Sequence, residues 1–218
     1  MLKAIIFDFD YTLGDSTNGI ALSINYALEQ LCCPAKSIDE IRKTIGLSLK
    51  ETYFKLTTSN NMQEAEQFAR LFKEKADRVM VDNTRLYEGV KEVLGSLKGK
   101  GFKLAIVTTK YHYRIEQILS KFGASDLIDL IVGAEDVKVE KPSPEGLLWA
   151  IEQLQVNAEE VLYVGDSIVD AMTAQNANVK FAATLTGTTT RDEFRKYRSV
   201  FTGNCVIDIY HFIIDGLQ

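Results

Sequence analysis

The chain has 218 residues, of which 46% are hydrophobic and 25% charged, and its formal net charge at pH 7 is −5. This length and composition predict a globular protein with a substantial core. The acidic balance argues against a nucleic-acid surface, which needs clustered Lys and Arg. No apolar run approaches the ~20 residues that span a bilayer, and the N-terminus lacks a signal-peptide pattern. The sequence therefore predicts a cytoplasmic protein with neither nucleic acid nor membrane as a partner.

Short apolar runs alternate with amphipathic stretches along most of the chain. This alternation predicts an α/β fold, a doubly wound parallel sheet with helices on both faces. Between two of the runs, for example, Ile115, Ile118 and Leu119 form a stripe at helical spacing. The predicted strands are residues 3–7, 103–107, 129–132, 161–164, 180–185 and, last, 205–207.

One long segment interrupts the alternation. Residues 16–84 contain no strand-like run, and apolar residues such as Ile20, Ile24, Phe68 and Phe72 recur there at helical spacing. An insertion directly after the first strand would hang over the carboxyl ends of the strands, where open α/β sheets bind ligands. The predicted domains are an α/β core of residues 1–15 and 85–218 and a small helical domain of residues 16–84.

Two aspartates follow the first predicted strand. Side chains alternate in extended backbone, so Asp8 and Asp10 point the same way while Phe9 turns aside. Two neighbouring carboxylates repel each other unless a cation or a shared proton separates them. Such pairs also occur in an ordinary turn after a strand. The motif alone therefore leaves open whether the two aspartates are functional or simply belong to a turn.

Polar residues also follow the second strand and precede a later helix. The hydroxyl and backbone N–H groups of Thr108 and Thr109 can donate to a phosphoryl oxygen, or can cap a turn. Pro142 favours extended backbone at Lys141. That lysine is either an exposed surface residue or a cation that neutralises a phosphoryl group or keeps a carboxylate ionised.

A second pair of aspartates follows another strand. Asp166 and Asp170 lie near the start of one predicted helix, where capping and the helix dipole also favour acidic residues. Carboxylates are the ligands that Mg²⁺ prefers. Because all of these groups fall at the carboxyl ends of predicted strands, the sequence predicts one crevice formed by Asp8, Asp10, Thr108, Lys141, Asp166 and Asp170.

This ordered set resembles the haloacid dehalogenase (HAD) superfamily of phosphohydrolases. The family pattern is Asp-x-Asp after the first strand, Thr or Ser after the second, Lys before a later helix and Gly-Asp-x-x-x-Asp after another strand. Residues 41–49 and 87–90 are similar to segments of the phosphoglycolate phosphatase-like subgroup, whose members have a helical cap. Three positions depart from that subgroup: Tyr11 replaces a usual Gly, Thr109 a common Asn and Glu88 a common Pro.

The resemblance implies a Mg²⁺-dependent phosphatase acting on a small phosphorylated metabolite, with a Rossmann-like HAD core and a monomeric or homodimeric state. It implies that Asp8 is a nucleophile that becomes an aspartyl phosphate, and that Asp10 is the general acid and base. The phosphate-binding residues would be Thr108, Thr109 and Lys141, and the metal-binding residues would be Asp8, Asp10, Asp166 and Asp170.

Other functions share parts of this pattern. A phosphosugar mutase or an inorganic pyrophosphatase on the same scaffold would use the same machinery, and analysis of the products separates them. A dehalogenase has little use for Asp10 or for the pair Asp166 and Asp170. A non-enzymatic receiver-like signalling module would carry its phosphate-accepting Asp after the third strand, whereas here the pair follows the first.

Overall fold

The computed structural model describes residues 1–216, which divide into two compact units. One unit comprises Met1–Asp15 together with the chain from Leu86 onward, and the other comprises Ser16–Arg85. Within residues 1–216, no helix combines the length and the apolarity needed to cross a bilayer. The assignment of residues 16–84 to a cap domain stays a prediction.

The unit Ser16–Arg85 is helical. Its core consists of apolar side chains at helical spacing on the first and last helices, among them Ile24, Leu28, Phe68 and Phe72, and all four are buried. Side-chain caps define where the later helices begin; Ser48, for example, accepts a hydrogen bond from the Glu51 N–H. The helices are α1 (Thr17–Gln30), α2 (Ile38–Arg42), α3 (Leu49–Thr57) and α4 (Met62–Val79).

The other unit contains a six-stranded parallel sheet in the order β5-β4-β1-β6-β7-β8. Its central strands are almost entirely apolar and buried, as is usual for parallel strands covered on both faces. The predicted fold class, a doubly wound α/β sheet with an inserted helical segment, is confirmed. The strands of the chain, of which β2 and β3 lie outside this sheet, are β1 (Ala4–Phe7), β2 (Gly14–Asp15), β3 (Arg85–Leu86), β4 (Lys103–Val107), β5 (Leu130–Val132), β6 (Val161–Gly165), β7 (Lys180–Thr184) and β8 (Ser199–Gly203).

Helices connect the strands of this sheet and supply its covering layers. Leu147 and Ala174 from two of these helices pack with Ile6, Tyr163 and Phe181 of the sheet in one buried cluster. The helices are α5 (Val90–Gly99), α6 (His112–Lys121), α7 (Glu145–Gln153), α8 (Ile168–Asn176), α9 (Arg191–Phe194) and α10 (Val206–Asp215).

The last predicted strand, residues 205–207, is wrong. Val206 begins α10, in which Val206, Ile209 and Ile213 are buried at intervals of three and four residues. The edge strand β8 lies just before it, at Ser199–Gly203, and pairs with β7. Its mixed sequence of Ser, Val, Phe, Thr and Gly is only partly buried, so it lacks the apolar run that marked the other strands.

The strand order determines where a ligand site can form. From β1 the chain adds β4 and β5 on one side, then crosses to add β6, β7 and β8 on the other. The order of connection therefore reverses beside β1, and such a switch point opens a crevice at the carboxyl ends of the strands. Asp8, Thr108 and Asp166 each directly follow one of the strands at this point, namely β1, β4 and β6.

Candidate active site

A buried lysine joins two carboxylates at the carboxyl end of the sheet. The Nζ atom of Lys141 lies 2.8 Å from Oδ1 of Asp8 and 2.6 Å from Oδ1 of Asp170. All three side chains are buried. The Asp8 N–H donates to the Val164 carbonyl at 2.8 Å, which fixes the start of the loop after β1 against β6. The lysine thus holds the proposed nucleophile by a short charge-assisted hydrogen bond.

Electrostatics in this group favour a further cation. Burial raises the pKa of Asp8 to about 7; Lys141 opposes that shift and the neighbouring Asp170 adds to it. Burial alone would lower the pKa of Lys141, but the carboxylates of Asp170 and Asp8 raise it well above its ordinary value. One ammonium therefore faces more carboxylate charge than it neutralises.

The carboxylates of Asp8, Asp166 and Asp170 form a compact set of oxygen ligands. They offer ligand atoms within 4.8 Å of one another, and all three residues are buried. Burial, then the charges of Asp170 and Asp8, raise the pKa of Asp166 well above its usual value. A Cβ atom on Gly187 would lie only 1.8 Å from Oδ2 of Asp166, so a glycine is needed for this carboxylate to fit. Buried hard oxygen donors at this spacing fit Mg²⁺.

Asp170 is also the centre of a hydrogen-bond network. Its Oδ2 accepts from the Ser167 N–H at 3.1 Å and from the Ser167 hydroxyl at 2.5 Å, completing a capping box at the start of α8. Its Oδ1 accepts from Lys141 and from the Tyr163 hydroxyl at 3.0 Å. Both oxygens of Asp170 are therefore engaged by protein donors, which supports a role in holding Lys141.

Tyr163 was not among the predicted site residues. Its buried hydroxyl accepts from Lys141 Nζ at 3.2 Å, and it lies within donating distance of Asp170 Oδ1 and of the Val107 carbonyl. A tyrosine in the middle of an otherwise apolar strand needs a partner for its hydroxyl. That requirement is the sequence signal that could have identified it.

Asp10 pairs with a second buried lysine that sequence reasoning did not select. Lys110 Nζ lies 3.0 Å from Asp10 Oδ2. The other oxygen, Oδ1, is buried and accepts no hydrogen bond from any residue in the described range 1–216. Within this part of the chain, only the Oδ2 atom of the Asp10 carboxylate therefore has a polar partner.

The two threonines occupy different environments. Thr108 is buried, and its N–H donates to the Val132 carbonyl at 3.0 Å. Its hydroxyl accepts from the Lys110 N–H at 3.3 Å, so this hydroxyl keeps its own proton for another acceptor. Thr109 is half-buried in the same turn.

The unusual Tyr11 has a backbone conformation that explains why glycine is common at this position. Its φ of 61° is left-handed, a region that glycine enters without steric cost. Its N–H donates to the Gly14 carbonyl at 2.7 Å, and its own carbonyl accepts from the Thr186 hydroxyl. The local hydrogen bonds hold the tyrosine in this turn.

A second group of possible ligands, His112, Glu135 and Asp136, lies at the start of α6. The Glu135 carboxylate accepts from the His112 N–H at 3.0 Å with both oxygens, and Asp136 lies 2.8 Å from His112 Nδ1. These contacts satisfy the first turn of the helix and orient the imidazole ring. The group therefore has a structural explanation as a helix-start motif.

His112 gives a pH-dependent prediction. Its hydrogen bond to Asp136, aided by the charges of Asp136, Glu135 and Glu116, raises its pKa above 6.5. A histidine whose pKa is higher in the folded than in the unfolded state stabilises the fold fully below its unfolded-state pKa. This stabilisation is lost as the pH rises through the folded-state pKa. His112→Gln should therefore lower the free energy of unfolding more at about pH 5.5 than at about pH 9, by less than about 1 kcal/mol for this partly exposed pair. Urea unfolding at both pH values measures this, and in an Asp136→Asn background most of the pH dependence should vanish.

Comparisons with known proteins match most of the chain to one family of hydrolases. The family model of haloacid dehalogenase-like hydrolases matches residues 5–184. A phosphoglycolate phosphatase of Colwellia psychrerythraea is 30% identical over 202 residues, covering 89% of each chain. The pyrophosphatase PpaX of Bacillus velezensis is 32% identical, covering 83% of this chain and 82% of the relative. A solved Bacteroides fragilis protein, named as a haloacid dehalogenase-like hydrolase, superposes with a TM-score of 0.93 at 38% identity, covering 96% of this chain and all of that one.

Proposed function

The chain belongs to the haloacid dehalogenase-like hydrolase family and is a phosphatase enzyme, and from this premise we propose a specific reaction. The substrate is a small phosphate monoester, the cofactor is Mg²⁺ and the reaction passes through an aspartyl phosphate on Asp8. The observation that carries the proposal is the buried contact of 2.8 Å between Asp8 and Lys141, set among the carboxylates of Asp166 and Asp170.

The first step is attack by Asp8 on phosphorus. The ammonium of Lys141 keeps the attacking oxygen oriented and lowers the cost of its charge in a buried site. Asp10 gives its proton to the departing alkoxide, and later takes one from the water that hydrolyses the aspartyl phosphate. The hydroxyl of Thr108 and the backbone N–H of Thr109 donate to the phosphoryl oxygens.

The proposed metal site would be formed by the carboxylates of Asp8 and Asp166 and the backbone carbonyl of Asp10, and Asp170 would be a further ligand or orient the group. Mg²⁺ supplies positive charge that reduces the repulsion between a carboxylate nucleophile and a phosphate. The buried, closely spaced carboxylates and the glycine that makes room for Asp166 support this assignment. A cap role for residues 16–84, a cytoplasmic location and a monomeric or homodimeric state stay predictions from the sequence.

Phosphoglycolate is the first candidate substrate, because phosphoglycolate phosphatases are among the relatives. Pyrophosphate is the second, because PpaX is a relative of similar identity. A phosphosugar mutase remains an alternative that differs in its product, since a mutase moves phosphate within a sugar phosphate.

Phosphate release from a panel of compounds tests the proposal. The panel contains phosphoglycolate, pyrophosphate and several sugar phosphates, each assayed with Mg²⁺ or with EDTA. We expect release from at least one monoester, and a loss of that release in EDTA that added Mg²⁺ restores. Release that is unaffected by EDTA would contradict the metal assignment. Conversion of a sugar phosphate to its isomer without release would favour the mutase.

A further inference from the structure

Lys110 and Asp10 form an ion pair that is almost fully buried. Their side chains are only 5% and 11% exposed, and Nζ lies 3.0 Å from Oδ2. Removing two charges from water costs several kcal/mol per ion, and only good geometry repays it. An ion pair in this position is therefore weak evidence for stability and calls for another explanation.

The backbone holds both partners of this pair. Lys110 lies in the turn after β4, where its N–H donates to the Thr108 hydroxyl at 3.3 Å and its carbonyl accepts from the Ala134 N–H at 3.1 Å. Asp10 lies in the turn after the adjacent strand β1 and forms an isolated β-bridge with Gly14. The two strand-end turns thus place the ammonium and the carboxylate against each other.

Lys110 contacts only one of the two carboxylate oxygens of Asp10. Oδ2 faces Lys110, whereas Oδ1 is buried without a hydrogen-bond partner among the residues that the structure describes. A buried carboxylate oxygen left in this state is costly, so such an atom in a native structure points to a ligand or a reacting group. Oδ1 is the oxygen that remains available to a substrate.

We propose that Lys110 is a positioning residue, which holds Oδ2 of Asp10 so that Oδ1 exchanges the proton with the leaving group. This inference rests on the proposed phosphatase reaction. Lys141 orients the nucleophile Asp8, and Lys110 orients the acid and base Asp10, so each reacting carboxylate has its own buried lysine. The ammonium also stabilises the carboxylate that forms when Asp10 gives up its proton.

The proton transfers balance in two steps. Asp10 enters the cycle with a proton on Oδ1 while Oδ2 accepts from the Lys110 ammonium, and the ion pair is the state left once that proton has gone. In the first step, an Asp8 oxygen bonds to phosphorus, the bond from phosphorus to the leaving oxygen breaks, and that oxygen takes the proton from Asp10 Oδ1. In the second, water gives a proton to Asp10 Oδ1 while its oxygen bonds to phosphorus. The bond from phosphorus to Asp8 then breaks, and inorganic phosphate leaves.

The dependence of rate on the leaving group tests the proposal. An alkyl phosphate needs a proton on its leaving oxygen, whereas p-nitrophenyl phosphate releases a stable anion and needs little help. Lys110→Met should lower kcat/KM for the alkyl phosphate by about 10²-fold or more, a typical value of acid catalysis, and affect p-nitrophenyl phosphate far less. Asp10→Asn should show the same selectivity, and Lys110→Arg should restore part of the loss on the alkyl phosphate.

Thermal unfolding of each variant verifies that it is folded, and the exposed Lys100→Met serves as the matched control with unchanged rates. If Lys110→Met does not fold, Lys110→Gln, which keeps a hydrogen-bond donor, is assayed in its place with the same expectation. Equal losses on both substrates, or no loss on either, in a folded variant would overturn the positioning role. A wild-type protein inactive on every phosphate ester would instead count against the proposed function.

Discussion

Asp8→Asn is expected to abolish phosphate release, lowering kcat by at least about 10³-fold, as is usual when the nucleophile of a covalent mechanism is removed. The amide that replaces the carboxylate is a poor nucleophile and carries no charge to attract a cation. Lys141 keeps its contact with Asp170 at 2.6 Å, so the variant strands no buried ammonium. The substitution also removes a charge whose burial is unfavourable. The loss of activity should therefore occur in a folded protein.

The measurement is a phosphate-release assay with Mg²⁺, combined with thermal unfolding. Asp126→Asn is the matched control, because Asp126 is exposed in a short turn of the same unit, and it should retain full activity. Activity of Asp8→Asn within tenfold of the wild type would rule out Asp8 as the nucleophile. Labelling with a substrate carrying ³²P and quenching in acid should give a phosphoprotein in the wild type that hydroxylamine cleaves, as it cleaves an acyl phosphate, and the label should map to the peptide that contains Asp8.

Most of the fold could be predicted because its strands are apolar runs between turn residues. Runs buried on both faces, such as β1 and β6, give a strong pattern. The edge strand β8 gave none, since only part of it is buried, and the apolar start of α10 was assigned to a strand in its place. A segment of three or four apolar residues fits the residue period of a strand as well as that of a helix. The helical pattern of α10 is apparent only over its full length.

The candidate site was predictable at the level of motifs and strand ends. Alternation in extended backbone and the topology of parallel sheets suffice to gather Asp8, Lys141 and Asp166 at one edge. The supporting residues Tyr163 and Lys110 could not be found this way. Their roles depend on which distant atoms their polar ends reach, and that distance is a property of the folded chain.

Lys141→Met is expected to lower the free energy of unfolding by about 3 kcal/mol or more at neutral pH, in the range found when one partner of a buried ion pair is removed. Methionine fills similar space but leaves the carboxylates of Asp8 and Asp170 buried without their ammonium. The hydroxyl of Tyr163 also loses the donor at 3.2 Å. We expect phosphate release to fall as well, since the nucleophile loses the group that orients it.

The sign of the pH dependence follows from the raised pKa of Asp8, about 7. A carboxyl group whose folded pKa is raised above its unfolded value is destabilising in its ionised form, so its penalty grows as pH rises between the two values. Without Lys141, which opposes that rise, the penalty is larger. The loss of stability in Lys141→Met should therefore be greater at about pH 8 than at about pH 5, where the carboxyl group of Asp8 takes up a proton more readily.

Urea unfolding of Lys141→Met, Lys141→Met/Asp170→Asn and the wild type at both pH values measures these effects. The double variant removes one of the two stranded charges, so it should recover part of the lost stability at the higher pH. Lys100→Met, at an exposed position, should change the free energy of unfolding by no more than about 0.5 kcal/mol. A Lys141→Met protein as stable as the wild type at about pH 8 would mean that another cation already balances Asp8 and Asp170. The same unfolding measurement in EDTA would then show whether that cation is a bound metal, because stabilisation by a ligand disappears when the ligand is removed.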